Sequence, residues 1–102
     1  MEKAELRPLV LEGLRRNPRT QYATVEHFIR DRVEGYHDTE DTLTMVEILW
    51  DLLIQGVLAP GVDGFNTKLP FIHVTEYGLR RLEADAILPH DPDAYLQRFQ
   101  EE

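Results

Sequence analysis

The sequence predicts a small, mainly α domain of the α+β kind, and three observations carry that expectation. Three successive segments before Gly56 place apolar residues at helical spacing. The stretch that follows, Val57 to Thr75, combines β-branched runs with turn residues, as a hairpin does. Finally, "LPFIHVTEYGLRRLE", Leu69 to Glu83, passes from a strand pattern into a helical one through a single Thr-Glu.

Each element has its own justification. The first helix is expected over about Leu6 to Arg16, with Leu6, Leu9, Val10 and Leu14 on one face. Pro8 is tolerated only in a first turn, so the residues before Leu6 read as a frayed lead-in. Asn17-Pro18 stops the helix. A second helix, about Ala23 to Glu34, places Val25, Phe28, Ile29 and Val33 together and ends at Gly35. The third helix, Thr39 to Gln55, is capped by Asp38 or Thr39 and ended by Gly56. Its core stripe is expected to be Leu43, Val46, Leu49, Trp50 and Leu53.

The hairpin enters at Val57-Leu58, breaks at Pro60-Gly61 and returns along "LPFIHVT". Pro70 assigns the start of that return to an edge position or to a non-paired residue. Thr75 is placed to cap a closing helix, Glu76 to about Asp85, with Leu79, Leu82 and Ala86 pointing one way. After it, Pro89 and Pro92 form an extended break. A short C-terminal helix follows with Tyr95, Leu96 and Phe99 on one side. This divides the chain into a domain at residues 1–86 and a linker with helical extension at 87–102.

Length and composition set the outer bounds. At 102 residues and 42% hydrophobic the chain fits one domain with a buried core. It has no cysteine, which excludes disulfide and thiolate chemistry. No apolar run approaches the roughly 18 residues that span a bilayer, and "MEKAELRPLV" lacks the apolar core of a signal peptide. A cytoplasmic location is the expectation. The net charge of −8 argues against broad phosphate binding, although a local basic patch can still supply it.

The order helix, helix, helix, hairpin, helix resembles the winged helix-turn-helix family, in which three helices precede a two-stranded wing. The resemblance covers about Leu6 to Ala86. It rests on "LWDLLIQGVLAPG", which passes from the third helix into the first wing strand. It rests equally on "FIHVTEYGLRRLE", where the wing closes with the pattern (L/V)T-x-x-G. "GVLAPG…LPFIHVTEYG" is also similar to small winged-helix modules of multi-domain bacterial proteins of defence or uncharacterised type. Membership implies that the third helix lies in the major groove, where Arg, Lys, Asn, Gln, Ser or Thr read bases.

The third helix carries little of that chemistry: three of its five polar positions are carboxylates and none is basic. Its polar positions are Glu40, Thr44, Glu47, Asp51 and Gln55, and no Lys or Arg occurs from Val33 to Thr67. Phosphate would repel such a surface. Its apolar arc is also far wider than the roughly 100° stripe of an ordinary surface helix. Met45, Ile48 and Leu52 are therefore expected to be left over from the core. They become candidates for partner binding, together with Tyr95, Leu96 and Phe99 of the tail.

The basic residues lie elsewhere. Arg15, Arg16 and Arg19 cluster around the end of the first helix, Asn66 and Lys68 lie on the wing, and Arg80 and Arg81 on the closing helix. Arg80 with Glu76 and Arg81 with Asp85 have the spacing of surface ion pairs. The same seven residues form the candidate DNA-contacting set, in which a wing and flank touch phosphate. The four histidines, His27, His37, His73 and His90, have no metal-ligand spacing, and no phosphate loop or nucleophile elbow occurs. No metal or cofactor is expected, and no enzymatic activity.

Two functions remain open. One is a non-enzymatic binding module that acts through a protein partner or self-association. The alternative is a DNA-binding transcriptional regulator that uses the wing and the arginine flank.

Overall fold

The computed structural model describes residues 1–89. Four helices and three strands follow in the order α1 (Lys3–Arg16), β1 (Arg19–Gln21), α2 (Tyr22–Arg30), α3 (Glu40–Ile54), β2 (Leu58–Pro60), β3 (Phe71–Val74), α4 (Glu76–Glu83). The strands form one antiparallel sheet in the order β1-β3-β2. The expected Tyr95, Leu96 and Phe99 helix, and nearly all of the extension that holds it, lie outside the described residues.

The sheet corrects one expectation. A two-stranded hairpin was predicted, but Arg19–Gln21 adds a third strand, in the register Arg19↔His73, Thr20↔Ile72, Gln21↔Phe71. A three-residue strand has too short a pattern to be read as period two. β3 is consequently the central strand, paired on its other side as Leu58↔Val74 and Ala59↔His73. Pro70 causes no conflict, because β3 begins one residue after it. Thr20, Leu58, Ile72 and Val74 are buried, while Arg19 and the half-buried His73 lie on the opposite face of the sheet.

The helices pack through α1. Leu6, Val10 and Leu14 meet Val25 and Ile29 of α2 and Met45, Ile48, Leu49 and Leu52 of α3, forming one core with Val57 and Leu82. The α1 helix starts at Lys3 rather than Leu6, since the Glu2 carbonyl accepts from both Glu5 N–H and Leu6 N–H. Pro8 therefore lies inside the helix. The carbonyl its missing N–H would pair with belongs to exposed Ala4, where water can reach it. Helix α2 ends at Arg30, four residues before the expected stop. In α4 the inward residues are Gly78 and Leu82, whereas Leu79 is about half exposed.

The expected face of α3 holds only in part: Leu49 is fully buried and Val46 and Leu53 pack against the core. Met45, Ile48 and Leu52 are buried in the core rather than left over from it, while Leu43 and Trp50 of the expected core stripe are exposed. At about 100° per residue the two sets lie on opposite sides of the helix. The inward set continues one turn back to Asp41, a buried carboxylate. Asp41 is satisfied there by the His37 N–H at 2.7 Å and the Met1 amine at 2.9 Å. A helix that is apolar nearly all round does not announce which side its neighbours cover. Here α1 decides it.

Two junctions fix the second half of the chain. Helix α3 ends in a Schellman motif: Val57 N–H donates to Leu52 O at 3.0 Å and Gly56 N–H to Leu53 O at 3.1 Å. Gly56 takes φ +77°, which glycine adopts without a Cβ penalty. At the other junction Thr75 caps α4, its hydroxyl oxygen accepting from Gly78 N–H at 2.9 Å. The same hydroxyl donates to Gly56 O at 2.6 Å, and Thr75 N–H donates to Val57 O at 2.9 Å. The Thr-x-x-Gly pattern thus locks the closing helix onto the end of α3.

Candidate functional site

The outward side of α3 is the most distinctive surface of the described residues. Leu43, Trp50 and Ile54 are 59%, 49% and 65% exposed. Val46 and Leu53 lie between them and the core, half-buried. Leu43, Val46, Trp50 and Leu53 have the 3-4-3 spacing of a helix-pairing seam, with Ile54 beside it. The exposed carboxylates of Glu40 and Glu47 border the seam along one edge. Across that edge Lys3 Nζ reaches Glu47 at 4.0 Å, a contact between two mostly exposed side chains that adds little.

Both ends of this helix are held. At its start Arg30 pairs with Glu26 at 2.7 Å and with Asp38 at 2.6 Å, and its guanidinium lies 4.5 Å from the centre of the Tyr36 ring. The Tyr36 and Thr42 hydroxyls lie 2.8 Å apart, and Thr42 donates to Glu26 at 3.1 Å. The carboxylates of Glu26 and Asp38 raise the Arg30 pKa above its ordinary value. The Asp41 carboxyl is held below the usual carboxylate range, first by the His37 N–H and then by the N-terminal amine. At its end Gln55 Nε2 donates to Asp51 at 3.1 Å and to Leu88 O at 2.7 Å. The stripe therefore stands on a rigid platform rather than a mobile loop.

On the inner flank of α3, Arg7 Nη1 pairs with Asp51 at 2.9 Å. Its Nε and Nη2 are buried without a hydrogen-bond partner. An open cleft of about 410 Å³ lies alongside, lined by Lys3, Ala4, Arg7, Ile48, Asp51 and Pro89. No period or motif in the sequence pointed to Arg7.

The candidate DNA-contacting residues are dispersed and largely occupied. Arg15 bonds Asp85 at 2.9 Å and Arg16 bonds Glu12 at 3.0 Å. The expected Arg80–Glu76 pair is present at 3.7 Å, but Asp85 pairs with Arg15 and not with Arg81, which lies over the Tyr77 ring. Asn66 turns its N–H onto Asp63 at 2.8 Å, closing the loop between β2 and β3. Arg19 and Lys68 are exposed; the Asp63 carboxyl, held low first by the Asn66 and Phe65 N–H groups, also feels the charge of Arg19. Arg19 borders a shallow depression of about 310 Å³ with Asp63, Thr67 and His73, whose Nδ1 lies 2.7 Å from Gly61 O. At the loop tip Phe65 is 96% exposed, a feature no periodicity could flag.

Among the described residues no three His, Cys, Asp or Glu side chains converge as a metal site requires. No described helix is long and apolar enough to cross a membrane. The architecture defines a small α+β domain with four helices and a three-stranded antiparallel sheet, compatible with a winged helix. No family model matches the chain, and no curated protein or solved structure matches it either.

Proposed function

We propose that the chain is a winged-helix domain turned from DNA reading to protein recognition, a non-enzymatic binding module whose contact face is the outer side of α3. The observation that carries this reading is the exposed seam of Leu43, Trp50 and Ile54, in the position a DNA reader gives to polar and basic side chains. Exposed apolar side chains in a row are a liability unless they are covered in use. Burying them supplies affinity, and Glu40 and Glu47 at the rim select the charge of what binds. The test is co-purification of the full chain with and without Leu43→Asp and Ile54→Asp. A protein retained by the native chain and lost from both variants, with circular dichroism unchanged, supports the reading. Equal retention by all three overturns it.

A second reading, DNA binding, is favoured by one observation: Arg19 and Lys68 are exposed and stand at or near the loop between β2 and β3. It requires that Arg19→Glu and Lys68→Glu abolish a salt-sensitive affinity for duplex.

A further inference from the structure

We infer that the partner of the α3 seam is a basic amphipathic helix, not a second copy of this chain and not its own C-terminal segment. The inference rests on the proposed role of α3 in protein contact and goes on to name the chemistry of the occupant.

Shape gives the first half. The seam runs straight along one helix from Leu43 to Ile54, a rise of about 16 Å over three turns. A single helix laid along it presents apolar residues at 3-4 spacing into the gaps between Leu43, Val46, Trp50 and Leu53. Trp50 sits at the centre of the row, where a large aromatic side chain acts as an anchor.

Charge gives the second half. The edge of the seam carries Glu40 and Glu47; Lys3 reaches Glu47 only at 4.0 Å, between two mostly exposed side chains, a contact too weak to cancel the charge of the edge. A second copy brings the same two carboxylates and its own net charge of −8 to the same contact. Like charges brought together at an interface slow association and oppose it. The C-terminal segment is no better suited. Residues 90–102 carry Asp91, Asp93, Glu101 and Glu102 against the single Arg98. A helix with Lys or Arg flanking its apolar stripe meets Glu40 and Glu47 with opposite charge, and among the three it alone satisfies both shape and charge.

Trp50 is the sole tryptophan of the chain, so its emission reports the site directly. The probes are two designed 20-residue helical peptides with leucines at 3-4 spacing, flanked by lysines in one and by glutamates in the other. The full chain is titrated with each at low and at high salt, and its mass is followed by sedimentation. The expected result is a monomeric chain whose Trp50 emission shifts to the blue with the lysine peptide. Affinity should be at least tenfold above that for the glutamate peptide, with the ratio shrinking in high salt. Leu43→Lys and Ile54→Lys should each weaken binding at least tenfold with circular dichroism unchanged.

Three results overturn the partner while leaving α3 as a contact face. Equal binding of both peptides removes the charge selection. A native dimer that Leu43→Lys converts to monomer makes a second copy the occupant. A red shift of Trp50 in full-length Leu96→Ser or Phe99→Ser makes the chain's own tail the occupant. A monomer with unshifted emission against both peptides overturns the partner and the contact face together.

Discussion

Replacing Gly78 with alanine should unfold this domain at a markedly lower temperature, although a helix normally prefers alanine. Gly78 is the third residue of α4, where propensity alone favours Ala by up to about 1 kcal/mol. The added Cβ, however, would stand 2.2 Å from Val57 O and 2.9 Å from Val74 Cγ1. The Val57 carbonyl cannot easily retreat, because it accepts from Thr75 N–H at 2.9 Å. Relief requires α4 to lift away from the end of α3. That costs about 1–3 kcal/mol of overpacking and about 1 kcal/mol for each hydrogen bond loosened. A net loss of about 3 kcal/mol lowers Tm by roughly 12–24 °C in a domain of this size. Thermal and urea melts followed by circular dichroism measure it. Gly64→Ala is the control, since a Cβ there meets nothing within 4 Å. A Gly78→Ala protein as stable as the native chain, or more so, refutes the reasoning.

Three further outcomes separate core from surface and paired from unpaired. Leu52→Ala should cost about 2–5 kcal/mol by urea titration, as a fully buried side chain does, while Leu43→Ala and Ile54→Ala stay within about 0.5 kcal/mol; comparable losses at all three would contradict the assigned face. The carboxyl pKa values of Asp41 and of Asp63 are depressed, Asp63 by the N–H groups of Asn66 and Phe65. Their stabilisation is complete above the unfolded value of 3.8 and is lost as pH falls through the lower folded values. The urea midpoint of the native chain should therefore drop more steeply between pH 5 and pH 2.5 than that of Asp41→Asn or Asp63→Asn. Arg30→Ala removes the link between Glu26, Asp38 and Tyr36, so amide exchange should quicken first in the segment from Asp31 to Thr39, and uniform exchange across α2 and α3 would count against that role.

The existence of all four described helices was readable in the sequence, and so were the Gly56 stop and the Thr75 cap, because each has a local signal. Period 3.6 marks a helix, glycine marks the left-handed turn, and Thr-x-x-Gly marks the start of α4. His73 was also placed correctly as half-exposed between inward-facing Ile72 and Val74. What failed depended on neighbours distant in sequence. Arg19–Gln21 became a strand only because β3 had a free edge beside it. The face of α3 could not be ranked from within α3. Two apolar stripes compete there, and packing against α1 selects the one that also holds Asp41, whose carboxylate the His37 N–H satisfies. Arg7 and its Asp51 partner were invisible for the same reason, being 44 positions apart.

The central claim is that α3 has been turned from nucleic acid to protein, and one titration tests it most directly. Fluorescence anisotropy of a labelled generic duplex is followed against the full chain from low to physiological salt. The account predicts no saturable binding tighter than about 100 µM even at low salt, since the outer face of α3 carries carboxylates and most arginines of the flank are already paired. Micromolar binding that falls steeply with salt, survives Leu43→Asp and is lost in Lys68→Glu would contradict it, and would return the domain to the DNA-binding class.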